Sequence, residues 1–431
     1  MSVQTPSQTT FHVRTDRKLV RPTSKSHRFV LAEIAAPPSR REHGRPPVNL
    51  AFVLDRSGSM SGDKIRLAKQ AVEASIARLH DDDRFAIVVY DEQIDVVVGS
   101  TRATADARRL AVDRLEEIDA RGSTNLGEGW LRGCEQVAAE LSAEGVNRCL
   151  LLTDGLANQG ITDRGELAVH ARELRERGVS TTTFGVGNDF DEVLLQAMAA
   201  AGGGHFYYIA GAASIEDLIT SEVGETLEVV ARDVIVQVTA PTRIGVESLS
   251  PYSSRERGGR SEIVIGDLTA EERVSVVLRL SFPYGQLGYS TGAVVGLADR
   301  DDVFEAGSVK LAWEYASDQS NDAQERDRDV DRAVARVFAA RARQEAVNLN
   351  RAGDYRSAKR AVEATAKRIR RYAGHDPELR AVATGLESEV DRFEAPMAPA
   401  ALKVAYAGAS YALRSRDFDG KALKSPTDPG R

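Results

Sequence analysis

The stretch VNLAFVLDRSGSM, residues 48–60, decides how the chain is read. Val48 to Leu54 is an apolar run of strand length interrupted only by Asn49, with no polar face, which suits a strand buried on both sides of a sheet. The run stops at Asp55 and gives way to Arg56-Ser57-Gly58-Ser59-Met60, small and polar residues suited to a loop. An amphipathic segment, KIRLAKQAVEASIARL (64–79), follows directly. A buried strand, a polar loop and a helix in that order form the opening unit of a parallel α/β sheet.

The same alternation continues outward to about Glu225. Further strands are expected at RFAIVVY (84–90), IDVVVGS (94–100), NRCLLLTDG (147–155), VSTTTFGVG (179–187) and GHFYYIA (204–210), with amphipathic segments between most of them. A doubly wound α/β domain over residues 48–225 follows. IDVVVGS is the exception. It follows RFAIVVY after only a short turn, which leaves room for a hairpin but not for a helical crossover, so it is expected as an antiparallel edge strand.

On either side the texture is different. Residues 1–47 contain strand-like runs such as HRFVLAEIAAP and end in the basic turn PPSRREHGRPP. Residues 226–316 are again strand-rich (DVIVQVTAP, SEIVIGDL, RVSVVLRLSF, VKLAWEYA). Two or three N-terminal strands cannot hold together alone, so both segments are expected to build one antiparallel β-sandwich into which the α/β domain is inserted. Residues 317–393 read as a helical appendage with segments near 327–350, 354–372 and 377–393. LNRAGDYRSAKRAVEATAKRI (349–369) within it resembles a single tetratricopeptide-type hairpin. One such unit cannot stack as an array, so it is expected to pack on itself or on the β region. Residues 394–431 are expected to be poorly structured.

Bulk properties narrow the function. The 431 residues are 42% hydrophobic and 28% charged, with a formal net charge of -7. That balance belongs to a globular protein and argues against nucleic-acid binding by bulk charge. No run is long enough to span a bilayer. The polar N-terminus lacks an apolar signal core, so the expected location is cytoplasmic. Cys134 and Cys149 are read as buried free thiols. No phosphate-binding loop, His-Glu zinc motif or nucleophile elbow in a suitable context is present. His80-Asp81-Asp82-Asp83 reads as a solvated turn, His205 as a structural residue beside a glycine turn, and KRAVEATAKRIRRY (359–372) as a solvated helical face.

Chemistry concentrates where the parallel strands end, because loops at the carboxyl ends of such strands share one crevice. Asp55, Ser57 and Ser59 lie at the first end and Asp154 at another. Thr124, in the loop GSTN (122–125), can reach the same rim. All are hard oxygen donors, a set suited to Mg²⁺ or Mn²⁺ and not to zinc. Taken alone, Asp-x-Ser-x-Ser also describes a helix cap. Asp55-x-Ser57-x-Ser59 followed by Thr124 and Asp154 resembles the metal-ion-dependent adhesion site of von Willebrand factor type A (VWA) domains. TDGLANQG (153–160) and GVGNDFDEVLL (185–195) resemble bacterial members of that family.

The resemblance implies a Rossmann-like fold. It also implies direct metal contacts from Ser57 and Ser59, a direct or water-mediated one from Thr124, and mainly water-mediated ones from Asp55 and Asp154. It further implies a binding protein, not an enzyme, which captures an Asp or Glu carboxylate of a protein partner at an open metal position. A second reading makes the chain the VWA accessory subunit of an AAA+ ATPase machine of chelatase type.

Overall fold

The computed structural model describes residues 10–39, 45–304 and 307–424. Parts of the basic turn (40–44) and of the expected unstructured tail (425–431) lie outside the described residues.

Three strands come first: β1 (Thr10–Thr15), the two-residue β2 (Leu19–Val20) and β3 (Ser26–Ala35). The α/β unit then runs β4 (Val48–Asp55), α1 (Asp63–Ala77), β5 (Arg84–Tyr90), β6 (Ile94–Arg102), α2 (Ala105–Glu116), α3 (Leu126–Ala138) and β7 (Val146–Thr153). It continues with α4 (Arg164–Glu176), β8 (Ser180–Val186), α5 (Glu192–Ala201), β9 (Gly203–Ile209) and α6 (Ile215–Leu227). Its sheet has the order β6-β5-β4-β7-β8-β9. Every pair is parallel except β5–β6, which is the expected antiparallel edge. All eight residues of β4 and of β7 are buried, as helices on both faces require. One face packs Leu50, Phe52 and Leu54 against α1 and α6 residues, and the other packs Ala51 and Val53 against Trp130 and Cys134 of α3. Both cysteines are buried and free.

Strands β10 (Val229–Thr239), β11 (Gly245–Ser248), β12 (Ser253–Arg257), β13 (Arg260–Thr269), β14 (Arg273–Phe282), β15 (Ser290–Ala298) and β16 (Ser308–Tyr315) complete two further sheets. The four-stranded one has the order β1-β3-β14-β11 and the six-stranded one β12-β13-β10-β15-β16-β2. β3 pairs with β14 along its whole length, from Ala35 opposite Arg273 to Ser26 opposite Phe282. The only departure from antiparallel pairing among the described sandwich strands is the short parallel contact of β2 with β16. Val30, Ala32 and Ile34 from before the α/β unit share a core with Val236, Val276, Leu278 and Trp313 from after it. The α/β unit is therefore an insertion between strands that need each other.

Four helices follow the short α7 (Asp318–Ala323): α8 (Arg328–Arg351), α9 (Tyr355–Ala373), α10 (Pro377–Glu389) and α11 (Pro399–Leu413). Val330, Val334 and Val337 of α8 dock on Leu31 and Val277 of the sandwich. The expectation of a poorly structured chain after residue 393 is corrected here, because α11 is a regular helix with Pro399 in its first turn. Its Ala- and Tyr-rich sequence lacks a one-sided apolar stripe because it is gripped from two sides. Leu402 and Tyr406 join the helical core, whereas Ala407 and Tyr411 join the core of the α/β unit. With Val404, Gly408 and Ala412 exposed and apolar or small as well, the helix shows little amphipathic contrast.

Candidate metal centre

The parallel register fixes where the site stands. Leu54 of β4 lies opposite Leu152 of β7, so Asp55 and Thr153 end neighbouring strands together. Thr153 Oγ1 donates to Asp55 Oδ2 at 2.7 Å, and the Ser57 backbone N–H donates to Asp55 Oδ1 at 2.8 Å. Both carboxylate oxygens are thereby held, and the loop is folded back over the strand end. Burial is the main influence on Asp55 and pushes its pKa up to about 6. The Thr153 and Ser57 hydrogen bonds oppose that rise, while the nearby charge of Asp154 adds to it.

The serines do not cap the following helix. The N-cap of α1 is Gly62, and the short turn at Gly58–Met60 has no side-chain cap. Instead Ser57 Oγ and Ser59 Oγ lie 3.1 Å apart, and Ser59 Oγ donates to Asp154 Oδ1 at 2.6 Å. Because the Ser59 proton goes to Asp154, the Ser57 hydroxyl is the donor between the two serines. The proton order Ser57 to Ser59 to Asp154 leaves lone pairs on both hydroxyls. Asp154 is buried, and its Oδ2 accepts from Lys64 Nζ, which also donates to the Ser59 carbonyl at 3.2 Å.

Thr124 does not cap α3 either, since the N-cap there is Asn125 and makes no side-chain cap bond. Thr124 is buried, and its Oγ1 lies 3.2 Å from where a Cβ on Gly155 would stand. The hydroxyl is thus laid beside the Asp154-Gly155 turn, and a larger residue at 155 would press on it. The loop before Thr124 is pinned by Gly58 N–H to the Gly122 carbonyl (3.1 Å) and by Arg121 N–H to the Arg56 carbonyl (2.6 Å). Gly122 has φ +70°, and a Cβ there would fall 1.9 Å from Glu92 Oε2, which accepts the Ser123 N–H at 2.7 Å. Only glycine meets both demands. Arg56 turns into the protein and pairs with Asp91 at 3.1 Å, where Arg121 also binds at 2.8 Å.

Ser57, Ser59 and Asp154 therefore form one hydrogen-bonded chain, with Asp55 joined through the Ser57 backbone and Thr124 beside Gly155. The donor set suits a hard divalent ion. It holds two buried carboxylates, three hydroxyls and a single ammonium, and neither nitrogen from imidazole nor sulfur. Sequence reasoning missed Thr153, which orients Asp55, and Lys64, which binds Asp154. The only available signal was their position, one residue before Asp154 and in the first turn of the helix after Asp-x-Ser-x-Ser.

Residues 49–221 match the family model described as von Willebrand factor type A domain. The chain carries a VWA domain. It is 30% identical over 290 residues to YfbK of Escherichia coli (strain K12), an alignment covering 64% of this chain and 49% of that protein. The chain thus spans about half the length of that relative. Its fold is similar to a von Willebrand factor type A structure from Catenulispora acidiphila, with TM-score 0.71, 18% identity and 99% of each chain covered. It is also similar to the ArnB paralog VWA2 from Sulfolobus acidocaldarius, with TM-score 0.62, 17% identity, and 96% of this chain and 99% of that one covered. VWA domains are typically metal-dependent protein-interaction modules. Among the described residues no helix is long and apolar enough to cross a membrane.

A second polar cluster lies between β7, β9 and α6 of the VWA domain. Ligand atoms of His205, Glu222 and Glu225 fall within 4.8 Å of one another. These atoms are already engaged. Glu222 Oε1 accepts from Arg148 (2.8 Å) and Thr182 (2.7 Å), and its Oε2 accepts from Tyr207 (2.7 Å) and pairs with His205 Nδ1 (2.9 Å). Glu225 is bound by the Arg416 guanidinium and by the Ala422 backbone N–H at 2.9 Å. Arg416 Nη1 also meets His205 Nε2 at 2.8 Å, and since a guanidinium can only donate, His205 is neutral with its proton on Nδ1. Burial and then the Arg416 charge lower its pKa. This is a closed internal network, and His205 is structural within it.

Proposed function

We propose that this chain is a metal-dependent protein-binding module whose divalent ion is held by Asp55, Ser57, Ser59, Thr124 and Asp154. The observation that carries the reading is the charge balance at the rim. Two buried carboxylates and the hydroxyls of Ser57 and Ser59 come together at the ends of β4 and β7, Thr124 lies beside Gly155, and the Lys64 ammonium is the cation bound to Asp154. Mg²⁺ or Mn²⁺ suits these small oxygen donors better than Ca²⁺ with its larger shell. A bound ion would supply an electrophilic position for the Asp or Glu carboxylate of a protein partner. The protein's own residues do the rest. Thr153 and the Ser57 N–H fix Asp55, the serine chain fixes Asp154, and the Gly58–Gly122 contact keeps the two loops in register.

The role so assigned is binding and not catalysis. The two buried free thiols accord with a reducing, cytoplasmic setting. Calorimetric titration with Mg²⁺ and Mn²⁺ tests the site: wild type should bind one ion, and Asp154→Ala should bind it at least about tenfold more weakly. Equal binding by the two proteins would refute the assignment. Capture of a carboxylate-bearing partner should be lost in EDTA and restored by Mg²⁺.

A further inference from the structure

Lys64 occupies a position that the metal reading leaves unexplained. It lies in the first turn of α1, and its ammonium reaches back over the loop to bind Asp154 Oδ2 and the Ser59 carbonyl. Asp154 is fully buried, while the Lys64 side chain is 31% exposed. With Ser59 on Oδ1 and Lys64 on Oδ2, both oxygens of Asp154 are taken by the protein itself. The ammonium thus supplies the positive charge that a buried carboxylate requires. It does so on a flexible four-carbon stem, from the solvent side, unlike the rigidly packed guanidiniums of the second cluster. Gly187 is its neighbour on the rim: an added Cβ there would lie 3.8 Å from Lys64 Nζ.

We infer that Lys64 is a resident counter-cation that competes with the divalent ion for Asp154 and sets the metal affinity of the site. The inference rests on the metal assignment made above. An ammonium and a divalent ion at one carboxylate repel each other, so metal binding requires Lys64 to release Asp154 Oδ2. Two consequences follow. In metal-free protein, Lys64 holds Asp154 in position, so the rim does not collapse. In metal-loaded protein, the released ammonium stands at the rim beside the ion, where it adds attraction for an anionic partner.

The test compares Mg²⁺ affinity by calorimetry in wild type, Lys64→Met, Lys64→Arg and Asp154→Asn, all as the full chain. Lys64→Met should bind Mg²⁺ about tenfold more tightly than wild type, because one repelling charge is gone. Lys64→Arg keeps the charge and should stay near wild type. In wild-type protein carrying ¹³C-dimethylated lysines, the Lys64 methyl resonance should shift on Mg²⁺ addition with the same midpoint as the heat signal. Equal or weaker Mg²⁺ binding by Lys64→Met, alongside normal Asp154-dependent binding by wild type, overturns the role of Lys64 and leaves the metal site standing. Wild-type binding that Asp154→Asn does not weaken removes the metal site, and the inference with it.

Discussion

The VWA domain holds two buried clusters of charge, and they differ in how they are balanced. On its flank, Glu222 and Glu225 face the guanidiniums of Arg148 and Arg416 with Tyr207, Thr182 and His205 filling the remaining hydrogen bonds. At the strand ends, Asp55 and Asp154 face hydroxyls, one backbone N–H and one partly exposed ammonium. Both clusters place carboxylates close together. Only the flank cluster draws its cations from buried guanidiniums, Arg148 and Arg416, which also pair with Asp267 and Glu272, so it works as cement between elements. The rim cluster is bound by the partly exposed Lys64 ammonium, and the proposed ligand role rests on that difference. How deeply the cation is anchored, more than the number of acidic residues, separates the two.

The largest expected effect lies in the flank cluster. Glu222→Ala removes the carboxylate shared by Arg148, His205 and Tyr207, leaves buried Arg148 with Asp267 alone, and should cost roughly 3–5 kcal/mol in urea unfolding, while the folded fraction still binds metal normally. A loss of metal binding without a loss of stability would reverse the comparison. Next in size is metal removal. Mg²⁺ at a hundred times its dissociation constant should stabilise wild type by about 2.7 kcal/mol, and EDTA should remove that gain. Asp154→Ala should show no difference between the two conditions in a thermal melt.

Ser57→Ala should weaken Mg²⁺ binding by about tenfold, or ~1.4 kcal/mol, with little change in metal-free stability, because the hydroxyl contributes a lone pair and not a core contact. Normal affinity in that variant would mean the serine chain only shapes the loop. The smallest effect is on pH dependence. His205 faces Glu222 and Glu225 of α6, Tyr207 on its own strand, and Arg416, and its pKa is lowered in the folded protein. Its neutral form is therefore worth stability that is fully present above the ordinary histidine pKa and is lost as pH falls below it. Glu222, whose pKa is lowered by His205 and Arg148 despite its burial, contributes stability that is fully present above the ordinary glutamate range and is lost as pH falls below it. Between those two ranges, wild-type stability should decline by up to one proton's slope, and His205→Gln should flatten that limb.

Much of the α/β domain was legible in the sequence because a parallel sheet covered on both faces needs strands with no polar face, and Val48–Leu54 and Cys149–Leu152 have no other economical use. Asp55, Ser57, Ser59 and Asp154 were legible for a related reason: they follow strand ends, so order along the chain already implies proximity, whereas Thr124 stands in the loop ahead of a helix and rested on the family resemblance. Lys64 and Thr153 were not, because nothing in a lysine at the start of a helix or a threonine at the end of a strand marks its hydrogen-bond partner. The flank cluster was beyond reach altogether. Arg148 and Arg416 reach Glu222 and Glu225 from opposite directions, and Arg416 lies 191 residues from Glu225. The helix at Pro399–Leu413 was concealed because its alanines and tyrosines serve two cores at once.

That helix and the strand of chain behind it also carry a consequence for biosynthesis. Lys403 donates to the Phe190 carbonyl and sits 4.0 Å from the Phe190 ring centroid, Tyr411 accepts the Tyr208 N–H at 2.7 Å, and Arg414 donates to the Gly204 carbonyl at 3.0 Å. These partners leave the ribosome about two hundred residues apart, a separation that slows closure of such contacts. The VWA domain therefore emerges early with Glu225, His205 and the β9 edge still uncovered. It waits as a nearly finished unit through translation of the sandwich and the helices. A nascent chain arrested before residue 399 would display that open flank to chaperones, and the segment from Pro399 onward is the one that closes it.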